Sequence, residues 1–382
     1  TIQGRSRREA ERTMQTGRRE IIKSAFFAGL GALVYRPAFS QTGRTAGIPG
    51  PFPGRVVSVE HPGSIVSGKY QREPVQQMIR RGMTELTGAQ TTADAWKKFF
   101  QPGDVVGIKL NPVGMPYVIS APEVVQEIIA GLNSVGIKNQ DIVAYDRYRA
   151  QFIKAGFPKW LPDGVRWSAA TEDYDELQWG MDGYDPDVYM EMALVRPEGD
   201  PTNPHHRRSY AAKCLTKEGN KVINLCLLKH HQSAGVTLAL KNLSHGMVNN
   251  VSRSHATNTL NACNAFIPAV VDMPVIREKV VLNILDGVQG AYHGGPGGRV
   301  KNYVWAHKTM YFATDPVAVD KTGWQVIDEK RRAMGMKSIF AAEPDKDSNF
   351  LSMQPEHVEI AGALGLGEWD EKKITRKQIK LG

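Results

Sequence analysis

Residues 104–146 do most to limit the folds open to this chain. Val105 to Leu110 (VVGIKL) is a short run rich in branched apolar residues and reads as a buried strand. Ser120-Ala121-Pro122-Glu123 places a capping box and an early proline at a helix start. Val124, Val125, Ile128, Ile129 and Leu132 then recur on one helical face, and Gly136 is a stop signal. Ile142 to Tyr145 is a second strand with Asp146 at its end. Strand, helix and strand in this succession form a βαβ unit, whose strands are parallel and whose crossover is right-handed.

The same pattern recurs further on. Val222 to Leu228 (VINLCLL) reads as a buried strand, and Lys229, His230 and His231 follow it at once. Ser233 is a capping residue, and the segment Ala234 to Leu243 is apolar until Lys241 and Asn242, with His245 just beyond. Arg55 to Val59 and Val280 to Leu285 are further strands, and Tyr311 to Ala313 ends in Thr314-Asp315-Pro316. Glu73 to Leu86 has helical spacing. The expected fold class is α/β: a largely parallel β-sheet flanked by helices, built from βαβ units, over residues 55–382. Residues 147–210 break the pattern, with Trp160, Trp167 and Trp179 scattered among Asp, Gly and Pro. They read as an irregular insertion that covers the site. His205-His206 within it reads as an exposed polar turn rather than a metal pair.

Ligands of open α/β sheets bind outside the carboxyl ends of the strands. Five expected strands present polar groups there: Lys109 with Asn111, Asp146, Lys229 with His230, Asp286, and Asp315. Lys229, His230, Lys109 and Asp286 are the candidates for acid–base work. Asn111, Asp146, Lys241, Asn242 and Asp315 are candidates for ligand binding, and the imidazoles of His231, His245 and His293 for a divalent metal. Lysines and a histidine facing carboxylates suit a small anionic substrate, proton abstraction next to a carbonyl, or an oxygen/imidazole metal site. Plainer roles compete: Asp315 before Pro316 suits a helix cap, Asp286 before Gly287 a turn, and Lys241 a solvated helix position. Consecutive strand residues point to opposite faces, so Lys229 and His230 converge only if the chain turns directly after Leu228.

The net charge of +9 resembles a nucleic-acid signal, but residues 1–49 hold nine basic and three acidic residues, leaving +3 on the rest. A body so near neutrality argues against a nucleic-acid partner. The three cysteines, Cys214, Cys226 and Cys263, include no CxxC, so no cysteine-ligated Fe–S cluster is expected. Cys226 falls in an expected buried strand, where a thiol is an inert packing group.

Gly17-Arg18-Arg19-Glu20-Ile21-Ile22-Lys23 matches the twin-arginine export signal, followed by a weak apolar run, Ser24 to Val34, too short to span a bilayer. Ala38-Phe39-Ser40 suits cleavage before Gln41, so residues 1–40 are expected to be a signal peptide and 41–54 a Gly/Pro-rich linker. Met14 opens a compact form of that signal, which leaves residues 1–13 as an upstream extension. A periplasmic protein, the twin-arginine translocase as an export partner, and no stable membrane span after cleavage follow from this reading.

With these residues laid out, the chain resembles a bacterial and archaeal family known only as domain of unknown function 362. The matching pieces are VVGIKLN, APEVVQEIIAGLNSVGIKNQDIVAYD, VINLCLLKHHQSAGVTLALKN, NILDGVQG with GGP, ATDPVAVD and the closing IAGALGLG, over about residues 100–367. The lysine–histidine segment followed by TLALKN is the most specific. The resemblance implies no common activity. Some members carry added ferredoxin-type cysteine motifs, which this chain lacks. The layout is also distantly similar to the catalytic domain of the nickel-pincer lactate racemases. Two functions fit: an enzyme acting on a small anionic substrate with metal or cofactor assistance, or a periplasmic accessory protein that holds a metal or cofactor for a redox enzyme.

Overall fold

The computed structural model describes residues 47–341 and 343–382, so the export signal expected at 1–40 lies outside the described residues. Eight strands form the path of the main sheet: β1 (Arg55–Glu60), β2 (Val106–Lys109), β3 (Ile142–Tyr148), β4 (Arg166–Thr171), β5 (Lys221–His231), β6 (Val280–Ala291), β7 (Val304–Ala313) and β8 (Thr375–Lys380). Their spatial order is β8-β1-β7-β6-β5-β2-β3-β4. The five strands from β6 to β4 pair in parallel. β7 runs antiparallel to both of its neighbours, and β1 and β8 pair in parallel. The fold is therefore α/β with a mostly parallel sheet, as its sequence pattern predicts. The βαβ unit aligns Lys109 on β2 with Tyr145 on β3.

Five helices matter below: α1 (Arg72–Thr87), α2 (Pro122–Asn133), α3 (Leu238–Met247), α4 (Cys263–Val271) and α5 (Pro316–Ala333). α1 and α2 cover one face of the sheet, where they bury Ile108, Ile223, Leu225 and Ile284. α3, α4 and α5 cover the other, over Val222, Cys226, Leu228 and Leu285. Neighbouring residues such as Val222 and Ile223 thus belong to different cores, which is why the central strands are apolar without alternation.

α3 starts under strain. Leu238 has φ of 38°, and Thr237 supplies no side-chain cap. Asp320 on α5 supplies it instead: its carboxylate accepts from the amides of Ala239 at 2.6 Å and Leu240 at 3.0 Å. A remote carboxylate meets the unpaired donors of the first turn and pins α3 to α5.

Residues 147–210 differ from the irregular insertion expected. They contribute β4 to the main sheet, and Tyr184–Glu191 pairs antiparallel with Arg208–Ala212 as a separate ribbon. β4 is an edge strand with a largely half-exposed side-chain pattern, so it has no apolar run for the sequence to reveal. Its Trp167 stacks on Phe152 at 5.1 Å, and His206 stacks on Trp179 at 3.9 Å.

Candidate functional site

A cavity of about 330 Å³ opens at the carboxyl edge of β2, β3 and β5, walled on one side by α3 and on another by residues 174–196 of the inserted segment. That is the size of a small-metabolite site. Lys109 and Asp146, from adjacent strands, meet there with Nζ 2.6 Å from Oδ1, both almost fully buried. Lys109 reaches its partner by passing α3 at a glycine: a Cβ on Gly246 would lie 2.0 Å from Lys109 Cε.

Under the cavity runs a chain of buried asparagines, each donating from Nδ2 to the next acceptor. Asn111 donates to Asn242 (3.0 Å), Asn242 to Asn224 (2.7 Å), Asn224 to Asn283 (2.9 Å), and Asn283 to the Thr314 carbonyl (3.0 Å). Lys229 Nζ donates to Asn111 Oδ1 at 3.4 Å and to the Val113 carbonyl, so it heads the chain. Every bond points the same way, an order that lets neighbouring bonds polarise one another. The chain ties β2, α3, β5 and β6 into one rigid floor and holds Lys229 against it.

Lys229, Lys241 and Arg147 line the cavity, and none forms an ion pair with a described carboxylate. Burial, with the nearby Lys241 ammonium, pushes the Lys229 amine down to about 7. Burial pushes Lys241 down to about 8, and its Nζ has no hydrogen-bond partner among the described residues. Arg147 donates to the His245 carbonyl at 3.0 Å and to the Tyr148 hydroxyl, and its guanidinium lies over the Tyr148 ring.

His231 is the imidazole that β5 delivers to this cavity. Its Nδ1 accepts from the Ser233 and Ala234 amides at 3.2 and 3.3 Å, which places the ring hydrogen on Nε2. That Nε2 is buried with no partner, as is the hydroxyl oxygen of Thr237, and both residues line the cavity. Burial pushes the His231 imidazole well below its ordinary pKa, so it is a neutral donor.

Some residues singled out in the sequence lie elsewhere. β5 does not turn after Leu228. It runs on to His231, and Gly235–Val236 folds back antiparallel on its end. Strand alternation therefore sends Lys229 and His231 to the cavity and His230 away from it, against His293 (ring centroids 5.1 Å) and Met353. The expected convergence of Lys229 and His230 does not occur. Asp286 is inside β6, not at its end: its two oxygens accept from the Tyr70 hydroxyl at 3.1 Å, and burial pushes its carboxyl up to about 7. Asp315 sits at the opposite edge, because it follows the one reversed strand. It caps α5 through the Val317 and Ala318 amides and accepts from the Gly54 and Glu368 amides. His293 engages Asp347 at 2.9 Å and Arg331 at 3.0 Å outside the cavity. Asn111, Asp146, Lys241, Asn242 and His245 do gather at the cavity.

Sequence reasoning passed over Arg147, Thr237, Cys263 and the insertion's Tyr174, Glu176, Gln178 and Arg196. Arg147 follows Asp146 directly and could have been read as a strand-end cation. The others lie in stretches without periodicity. One family model, described as Domain of unknown function (DUF362), matches residues 106–325. No curated protein matches the chain.

Proposed function

This chain belongs to the DUF362 family, and we propose that it is an enzyme acting on a small carboxylate- or phosphate-bearing substrate held in the cavity beside Lys229. The observation that carries the reading is a set of five donors facing one small space, three of them cations without an ion-pair partner and two of them buried atoms without any partner among the described residues. Lys229, Lys241 and Arg147 have no carboxylate partner among the described residues, and His231 Nε2 and Thr237 Oγ1 have no partner. Buried polar groups are normally hydrogen-bonded, and several left open around one cavity mark the place of a ligand. All five groups can donate, and an oxyanion accepts from all of them. Lys229, pushed to about 7, is divided between amine and ammonium near neutral pH and can take or give a proton there. Lys109 and Asp146 neutralise one another and hold the wall in place.

Calorimetric titration with a panel of small mono- and dicarboxylates and phosphate esters tests this. Wild-type protein should bind at least one saturably, and Lys241→Met should weaken that binding about tenfold or more, the worth of one charge-assisted hydrogen bond. A wild-type protein that binds no member of the panel would end the reading. The accessory-protein alternative predicts instead a shallow site beside a large exposed apolar patch. The cavity has the volume of a small-molecule site and is lined by β-strand ends, α3 and the insertion, which supports the enzyme.

Export belongs to the same proposal. It rests on the Arg18-Arg19 motif of the sequence. Changing Arg18 and Arg19 together to lysine keeps the charge and should strand the precursor in the cytoplasm, as read by fractionation and immunoblotting. Normal export of that variant would refute the twin-arginine route.

A further inference from the structure

Next to the cavity, three side chains with metal-binding atoms converge. The ligating atoms of His245, His255 and Cys263 all lie within 4.8 Å of one another. They come from three places: His245 from the last turn of α3, His255 from the loop after it, and Cys263 from the first turn of α4. Their common centre is the Ser254 hydroxyl, which is 3.0 Å from His245 Nε2, 2.7 Å from His255 Nδ1 and 3.9 Å from Cys263 Sγ. We propose that His245, His255 and Cys263 form a site for a borderline-soft divalent cation of the zinc class, with its fourth coordination position open to the cavity.

The donor set supports this choice of ion. Two imidazoles and a thiolate match the three-ligand plan of catalytic zinc sites, which leave one position for water or substrate. Hard ions such as Mg²⁺ and Ca²⁺ prefer oxygen ligands, and the cluster offers none but the serine hydroxyl. Tetrahedral bonds of about 2.0 Å to nitrogen and 2.3 Å to sulfur put ligand atoms roughly 3.5 Å apart, so side-chain shifts of about 1 Å close the site. The serine oxygen stands between the ligands, so entry of the ion requires it to swing aside about χ1 and give up its 2.7 Å hydrogen bond to the Val251 carbonyl. The imidazole of His245 also has the outer partner that a metal ligand needs. With Nε2 on the metal, Nδ1–H donates to Ser244 Oγ, 2.9 Å away, and this fixes the ring's tautomer and orientation.

The direction of the open position follows from burial. His245 and His255 line the cavity, whereas Cys263 lies behind them in the core. An ion held by all three therefore faces the space where Lys229, Lys241 and His231 converge. The metal site is defined by its own three ligands and stands whether or not an oxyanion binds there.

Titration of the metal-stripped protein with Co²⁺, without any organic anion, tests the site. Thiolate-ligated tetrahedral Co²⁺ gives intense d–d bands and a sulfur-to-metal charge-transfer band. Both should appear at one equivalent in the wild type and should persist in Cys214→Ser. In Cys263→Ser the charge-transfer band should vanish, and in His245→Gln or His255→Gln, which remove a direct ligand, the affinity should fall by more than the roughly 10- to 100-fold that loss of an outer-shell partner costs. Ser254→Ala keeps all three ligands and should bind Co²⁺ at least as tightly as the wild type. Absence of the charge-transfer band in wild-type protein overturns the proposal, and so does its survival in Cys263→Ser. Loss of Co²⁺ binding in Ser254→Ala, with the fold intact by circular dichroism, would make the serine oxygen a required ligand and overturn the three-ligand site with its open position.

Discussion

Replacing Asp146 with alanine should lower the stability of the fold by about 3–5 kcal/mol, the cost of leaving one member of a buried ion pair alone. The partner left behind is Lys109, whose side chain is 2% exposed and whose other described acceptor is the Leu110 carbonyl. The amine can lose its proton or the strand ends can admit water, and both cost free energy. The double variant Asp146→Leu with Lys109→Met removes both charges and should recover most of the loss, since an apolar pair of similar volume often matches a buried ion pair. Guanidinium unfolding midpoints of the three variants check this. A drop below about 1 kcal/mol for Asp146→Ala would mean that the pair is hydrated and adds little.

Lys229→Met should have the largest effect on binding, reducing affinity for the anionic ligand by about 10- to 100-fold, because a charge-assisted hydrogen bond in a dry site is lost. The same group predicts two opposite pH dependences. Anion affinity should fall as pH rises through about 7, where the ammonium becomes a neutral amine. Stability should rise across the same region. The folded lysine titrates near 7 and the unfolded one near its ordinary 10.5, so between those values the unfolded chain binds more protons and folding strengthens with pH. Below 7 the desolvation penalty is present in full, and it is relieved as the pH climbs. Lys229→Met should lose the part of both dependences that begins near pH 7 and keep the later part that Lys241, pushed down to about 8, contributes. Calorimetric affinities and unfolding midpoints between pH 6 and about 10 give the answer, and a wild-type affinity that is flat across pH 7 would exclude Lys229 as the anion's ligand.

Lys229 also marks how far local pattern reaches. Which strand carries the site was legible, because an apolar run ending in three polar residues has one good reading in a parallel sheet. Which of the three side chains enters the cavity was not. That depends on where the strand stops, and a difference of three residues, Leu228 against His231, exchanges His230 for His231. Lys and His have no intrinsic rule about strand ends. The stop is imposed by Gly235–Val236 folding back on β5 and by the imidazole of His231 receiving the Ser233 and Ala234 amides.

Asp315 shows a second limit. Its role as a helix cap could be read from Asp-Pro, and the structure has it capping α5. Its edge could not be read. Placing it with Lys109 and Asp146 assumed that every strand runs the same way, and β7 does not. A strand's direction is set by its pairing partners, which its own residues do not specify. The asparagine chain escaped notice for a related reason: Asn111, Asn224, Asn242 and Asn283 are far apart in the chain, and each alone is an ordinary polar residue.

The sequence by itself determined the fold class, the βαβ unit that brings Lys109 to Asp146, and the sheet edge where the cavity opens. Period and apolar content carry those, since a short continuous run rich in branched residues and bounded by turn signals fits a strand covered on both faces. The tertiary structure alone decided the membership of the site. His231 replaces His230, Arg147 and Thr237 join, Asp286 and Asp315 leave, and His245, His255 and Cys263 meet around one hydroxyl. Convergence in space depends on strand direction, strand length and the path of loops without periodicity, and these are settled by packing between distant segments.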